Sequence, residues 1–242
     1  MKRPSGSGPL LSIGLGLLTL PAAAAASPTS AGVGGAVPVI QTVSPASVEA
    51  VVPGGAQVTL LGTNFLGTTQ VSVDGIVLLN FPPQFSVVSN TQITLTMPYC
   101  TQLGPVDIVV SNASGPSVPL PITVTAPAAP VLELTGAGFL LSAVGADMTV
   151  GAAPGDVVYL LGSLTDAGSR LPGGGLMLDI GSNFNQIAVF RRDFMPGPAW
   201  MKHVVPLAGM TPGTTVFFQA LIDPATGGKL QVSNMVSGQL LF

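Results

Sequence analysis

Few residues in this chain have the types and spacing that chemistry requires. His203 is the single histidine and Cys100 the single cysteine in 242 residues. A zinc site draws on several histidine or cysteine ligands, and this composition cannot assemble one. A serine–histidine–acid set would need a nucleophile elbow, and no Gly-x-Ser-x-Gly occurs. Asp179 with Asp193, or Asp147 with Asp156, could supply a glycosidase pair. Nothing in the pattern holds either pair at the roughly 5–10 Å such catalysis uses, so they read as isolated turn and edge aspartates. Asp166, Asp179 and Asp223 are the calcium candidates, but no Asp-x-Asp-x-Asp run supports them. Gly173-Gly174-Gly175 lacks the Gly-Lys-Ser/Thr ending of a phosphate loop and reads as a turn. No catalytic, cofactor-binding or metal residue is assigned, and the chain is read as non-enzymatic.

Recognition without reaction is better served. Trp200, the one tryptophan, lies within Met195-Pro196-Gly197-Pro198-Ala199-Trp200-Met201. A loop tryptophan flanked by methionines either plugs a sandwich end or stacks on a sugar or partner. Arg191 and Arg192, beside Asp193, form a small cationic spot that reads as a solvated turn with a local ion pair. Trp200, Arg191 and Arg192 are therefore the candidate ligand contacts. Tyr99 and Tyr159 are the only tyrosines, a thin aromatic supply for a sugar-binding module.

The elements that position these residues read as strands. Charged residues make up only 7% of the chain, while 31 glycines and 23 prolines interrupt a 47% hydrophobic composition. Short runs rich in Val, Ile, Leu and Thr recur about every ten residues: Val37–Val43, Gln57–Leu61, Gln70–Val73, Ile76–Leu79, Phe85–Ser89, Gln92–Met97, Val106–Ser111 and Ile122–Thr125. Residues 126–130 (APAAP) form a stiff Pro/Ala linker. Beyond it, strands are expected at Leu132–Thr135, Met148–Val150, Val157–Leu161, Leu176–Asp179, His203–Val205, Thr215–Ile222, Leu230–Val232 and Gln239–Phe242. No segment holds a capped helical period, so helices should be few. The expected fold is all-β: two tandem β-sandwich domains over 37–125 and 131–242.

The N-terminus has the pattern of a signal peptide over residues 1–26. Lys2 and Arg3 precede the apolar run Pro9–Leu20, and Pro21 and the alanines Ala22–Ala26 follow it. A Gly-rich lead-in covers 27–36. With Lys2 and Arg3 removed, five basic residues face ten acidic ones, which disfavours nucleic acid as a partner. No later run is apolar for 18 residues, so no transmembrane helix is expected after signal removal. A single cysteine leaves Cys100 without an internal disulfide, and it reads as a buried thiol.

Four stretches, in order, carry a family resemblance. They are Pro38-Val39-Ile40 with Val43-Ser44-Pro45; Gly54-Gly55 followed by Val58-Thr59-Leu60-Leu61-Gly62-Thr63-Asn64-Phe65; Val71-Ser72-Val73-Asp74-Gly75; and Thr91–Pro98 with Gly104–Val110. Together they resemble the IPT/TIG immunoglobulin-like domain over residues 38–125. The resemblance implies an immunoglobulin-like sandwich in the first half and a spacer or interaction role. Ala153-Pro154-Gly155, Leu176-Met177-Leu178-Asp179, Gly213–Ala220 and Val232-Ser233-Asn234 resemble, more weakly, a C-terminal module of exported proteins of environmental bacteria, planctomycetes among them. It implies a source and a compartment but no activity.

The expected function is an exported, secreted or cell-surface structural or adhesion protein, in which the first sandwich spaces or presents the second. The expected partners are a protein or a cell-surface polysaccharide, with self-association covering part of the weakly charged surface. A carbohydrate-binding protein centred on Trp200 is the alternative.

Overall fold

The computed structural model describes residues 35–79, 84–134, 139–140, 145–172 and 175–241. The signal-peptide pattern, most of the lead-in and Phe242 lie outside them. From Gly34 onward the chain is one compact unit.

The first half contains β1 (Val39–Ser44), β2 (Ser47–Glu49), β3 (Gln57–Thr63), β4 (Thr68–Val73), β5 (Ile76–Leu79), β6 (Phe85–Ser89), β7 (Gln92–Thr96), β8 (Gly104–Asn112), β9 (Gly115–Pro116) and β10 (Leu120–Thr125). One sheet runs β1-β3-β7-β6 and the other β2-β10-β8-β4-β5, with β9 on β8. Pairing is antiparallel except between β2 and β10. Alternation sets the core: Val58, Leu60, Ile93 and Leu95 face Val71, Val73, Ile108 and Val110 across the sandwich, all buried. This is the expected immunoglobulin-like sandwich.

Gly62 and Asn64 have different reasons for their types. Asn64 has φ 63°, the left-handed conformation that asparagine tolerates. Gly62 lies inside β3, and a Cβ there would stand 1.9 Å from the Val39 carbonyl oxygen and 2.7 Å from the ring of Phe65. The glycine therefore exists for close approach, and it lets Phe65 seat in the core with none of its surface exposed. Gly62→Ala must push β1 off β3 or expel Phe65. The expected cost is about 3 kcal/mol or more, read as a drop in melting temperature with the fold retained; an unchanged melt would refute this reading.

The second half contains β11 (Val131–Leu134), β12 (Phe139–Leu140), β13 (Ala146–Gly151), β14 (Val157–Ser163), β15 (Ser169–Arg170), β16 (Met177–Leu178), β17 (Ala188–Phe194), β18 (Trp200–Val205), β19 (Thr215–Asp223), β20 (Gln231–Val232) and β21 (Val236–Leu240). Its sheets run β11-β13-β18 and β12-β21-β19-β14-β17, with β20 on β19. They enclose Met148, Val150, Leu160, Phe218 and Ile222. β15 and β16 form a separate ribbon on the excursion between β14 and β17. Leu178 and Ile180 of that excursion pack on Leu161, on the outer side of the larger sheet. Among the described residues the one helical element is the 3-10 turn Phe184–Gln186, and no helix is long and apolar enough to cross a membrane.

Candidate functional site

The three candidate contacts fall on two strands consecutive in the chain, β17 and β18, which belong to different sheets and face different surroundings. Trp200 opens β18 after a tight turn in which the Ala199 amide donates to the Pro196 carbonyl at 3.0 Å and Ala199 adopts φ 64°. That turn carries the fully buried Ala199 into the core of the first sandwich and lays the half-buried Trp200 against it. The indole Nε1 donates to the Cys100 carbonyl oxygen at 2.7 Å. The ring lies 5.1 Å from that of Tyr99, centroid to centroid, with 32° between their planes.

Tyr99 extends the tie. Its hydroxyl donates to the Glu133 carboxylate in a short hydrogen bond, and the other Glu133 oxygen accepts the Gly54 amide at 3.1 Å. Burial, reinforced by Glu133, pushes the Tyr99 hydroxyl up to about 12. The Lys202 ammonium lies 5.7 Å from the Tyr99 ring centroid. Behind this cluster Cys100 is buried, and burial followed by the charge of Asp74 pushes its thiol up to about 11. Both groups are thus protonated at neutral pH. Val51 and Pro127 crowd Gly151, where a Cβ would lie 2.8 Å from the Val51 side chain. Segment 126–130 accordingly bridges two bodies in direct contact.

A cavity of about 280 Å3 opens beside the junction, lined by Met97, Tyr99, Cys100, Val124, Glu49 and Glu133 among others. Its carboxylates are already engaged: Glu133 as above, and Glu49 with the Ala128 amide at 3.3 Å.

Arg191 and Arg192 lie on β17, which among the described residues pairs only with β14 and forms the edge of its sheet. The sequence reading placed them in a turn. The charged triplet hid a strand in which Val189 and Phe194 are exposed and only Phe190 packs toward the core. Arg191 pairs with Asp193 (Nε–Oδ2 2.7 Å). Arg192 takes a different environment. Its Nε donates to the Tyr159 hydroxyl at 3.3 Å, and its guanidinium lies 5.7 Å from the Tyr159 ring centroid and 5.8 Å from that of Phe194.

The remaining chemical candidates do not assemble. His203 Nε2 lies 2.9 Å from the Met201 sulfur and 3.8 Å from Asp193, and burial lowers its pKa. Asp179 is tied to the side chain of Gln219, and Asp156 accepts the Ala225 amide. Among the described residues no three His, Cys, Asp or Glu side chains converge, so Asp166, Asp179 and Asp223 do not form a shared site.

Residues 38–126 match the family model of the IPT/TIG domain. No curated protein matches the chain. Among solved structures, one complex with a xylogluco-oligosaccharide is 17% identical, covering 81% of this chain and 40% of its own, with a TM-score of 0.32. The Bacteroides ovatus SGBP-B of a mixed-linkage glucan utilization locus, in complex with a mixed-linkage heptasaccharide, is 14% identical, covering 83% and 45%, with a TM-score of 0.29. The Yersinia pseudotuberculosis adhesin InvE is 16% identical, covering 84% and 58%, with a TM-score of 0.27. The chain spans less than two thirds of the length of each of these proteins.

Proposed function

We propose that this chain is an exported, non-catalytic interaction protein of structural or adhesion type, in which the IPT/TIG sandwich serves as a rigid mount that presents the second β domain. The observation that carries this reading is the junction. A strand end of the second sandwich places Ala199 in the core of the first and packs Trp200 against it, and Trp200, Tyr99, Glu133 and Gly54 join the two by a continuous chain of contacts. A flexible tether would need none of these, whereas a mount that fixes the orientation of a binding face needs all of them. The IPT/TIG match, and the position of His203 against Met201 and Asp193 and not against a nucleophile among the described residues, support a role without catalysis. The N-terminal sequence pattern supports a secreted or surface location, with a protein or a cell-surface polysaccharide as partner.

Small-angle scattering on the chain from Ser27 onward tests the mount. One rigid envelope with a single inter-sandwich separation is expected. A broad distribution of separations would refute it, and turnover of a glycan or ester substrate that survives stringent purification would refute the non-catalytic reading.

A further inference from the structure

We propose that the outer face of the second sandwich beside β17 is a binding ledge for an acidic polysaccharide, in which Arg192 holds the carboxylate of a uronate residue and Phe194 carries the face of its ring. This names the ligand class for the presented domain, and it rests on the reading of that domain as a binding face.

The register builds the ledge. Across the larger sheet, Arg192 of β17 stands opposite Tyr159 of β14, which stands opposite Leu221 of β19; Phe194 stands opposite Val157, which stands opposite Asp223. Because side chains alternate along a strand, these six share the outer face, while Val158 and Leu160 face the core. The excursion between β14 and β17 covers the neighbouring part of the same face through Leu178 and Ile180, and Tyr159 and Leu221 pack against it. It forms a wall along one side. The rest of the ledge is open: Phe194 is 67% exposed, and Arg192 is exposed beside it.

Charge selects the ligand. Among the described residues Arg192 has no carboxylate partner, because Asp193 pairs with Arg191. Its Nε is used on the Tyr159 hydroxyl, and the rings of Tyr159 and Phe194 flank the guanidinium. Two terminal amino groups therefore remain, held in the planar fork that matches a carboxylate in bidentate fashion. A sugar ring on Phe194 buries apolar C–H surface that water would otherwise cover, and Asp223 at the far end of the row accepts hydroxyl hydrogens. A shallow, one-walled face suits a polymer lying along it better than a small molecule, which prefers an enclosed pocket.

Calorimetric titration of the whole chain with a short oligogalacturonate tests the ledge, with a neutral glucose oligomer of equal length and an acidic peptide of equal charge as comparisons. Saturable binding of the uronate is expected, weakening with added salt. Arg192→Gln and Phe194→Ala should each weaken it roughly tenfold or more. Arg191→Gln, which removes a charge already offset by Asp193, should weaken it less than Arg192→Gln does. Both ledge side chains are exposed, so these variants keep the fold, which an unaltered Trp200 emission would verify. Unchanged binding in Arg192→Gln, equal affinity for the neutral oligomer or the peptide, or no uronate binding would each overturn the ledge. A rigid scattering envelope with no uronate binding would sink the ledge alone and leave the mount standing.

Discussion

Trp200→Ala is expected to split one cooperative melt into two and to open the Cys100 thiol to alkylation. The substitution removes three things together: the ring packed on Tyr99, the Nε1 hydrogen bond to the Cys100 carbonyl, and the contact with the core of the first sandwich. Deleting a large aromatic side chain from a packed site costs about 3–5 kcal/mol, and a half-buried ring belongs at the lower end. That loss falls on the junction and not within either sandwich, so each should keep its own fold while their mutual stabilisation disappears. Cys100, 2% exposed in the intact chain, then reports the opening, because its alkylation rate at fixed pH rises with access to the thiol. Trp200→Phe separates the parts. It keeps an aromatic face and loses the donor, and should cost about 1 kcal/mol, the worth of one hydrogen bond. A Trp200→Ala variant that still melts in one transition with Cys100 as protected as before would show that the junction does not depend on this ring.

The sequence carried the strands far better than the contacts between them. β5 and β6 fall where alternation and turn residues place them, and β3, β7, β8 and β10 differ by a residue or two at their ends. Local spacing reports local geometry, so this part was legible. β2 was missed because three residues cannot display a period, and β17 because Arg191, Arg192 and Asp193 interrupt its apolar pattern. An edge strand tolerates charge on both faces, since one side of it meets solvent. The role of Trp200 was illegible for another reason: its partner Cys100 is 100 residues away, and nothing in either segment marks the pairing. Gly62 stands in a stretch that carries the family resemblance, but its close approach to Val39 of a different strand is not written in that stretch. The same holds for Leu176–Asp179, Gly213–Ala220 and Val232–Asn234 in the second half. Each was visible alone, and their meeting point was not.

That meeting point carries the second large expected effect. Gln219 lies on the outer side of β19 with none of its surface exposed. Its Nε2 donates to Asp179 Oδ2 at 2.8 Å and to the Ser233 carbonyl at 2.9 Å, and its Oε1 accepts the Asp179 amide at 2.9 Å. Ser233 Oγ in turn accepts the Ala220 amide, and the Asn234 side chain pairs with both backbone groups of Leu132 at 2.8–2.9 Å. One buried amide therefore ties the covering excursion to β19 and to the chain that holds β11. Gln219→Leu keeps the volume but leaves the Asp179 carboxylate, its amide and the Ser233 carbonyl without these partners. Stranding such groups costs about 1–3 kcal/mol each, less where water can reach them. A total near 3 kcal/mol is expected, lowering the melting temperature by roughly 6–12 °C for a unit of this size, with amide exchange rising first in the excursion. Gln219→Glu supplies the sign. Its side chain still accepts the Asp179 amide, but at neutral pH it sets a second carboxylate against that of Asp179. As pH falls, one of the two crowded carboxylates takes up a proton and restores a donor between them, so the deficit of this variant should shrink with acidification while that of Gln219→Leu should not. If both variants lose the same stability at every pH, the tie is a matter of packing alone. If Gln219→Leu melts with the parent, the network contributes nothing, and the excursion is held by Leu178 and Ile180.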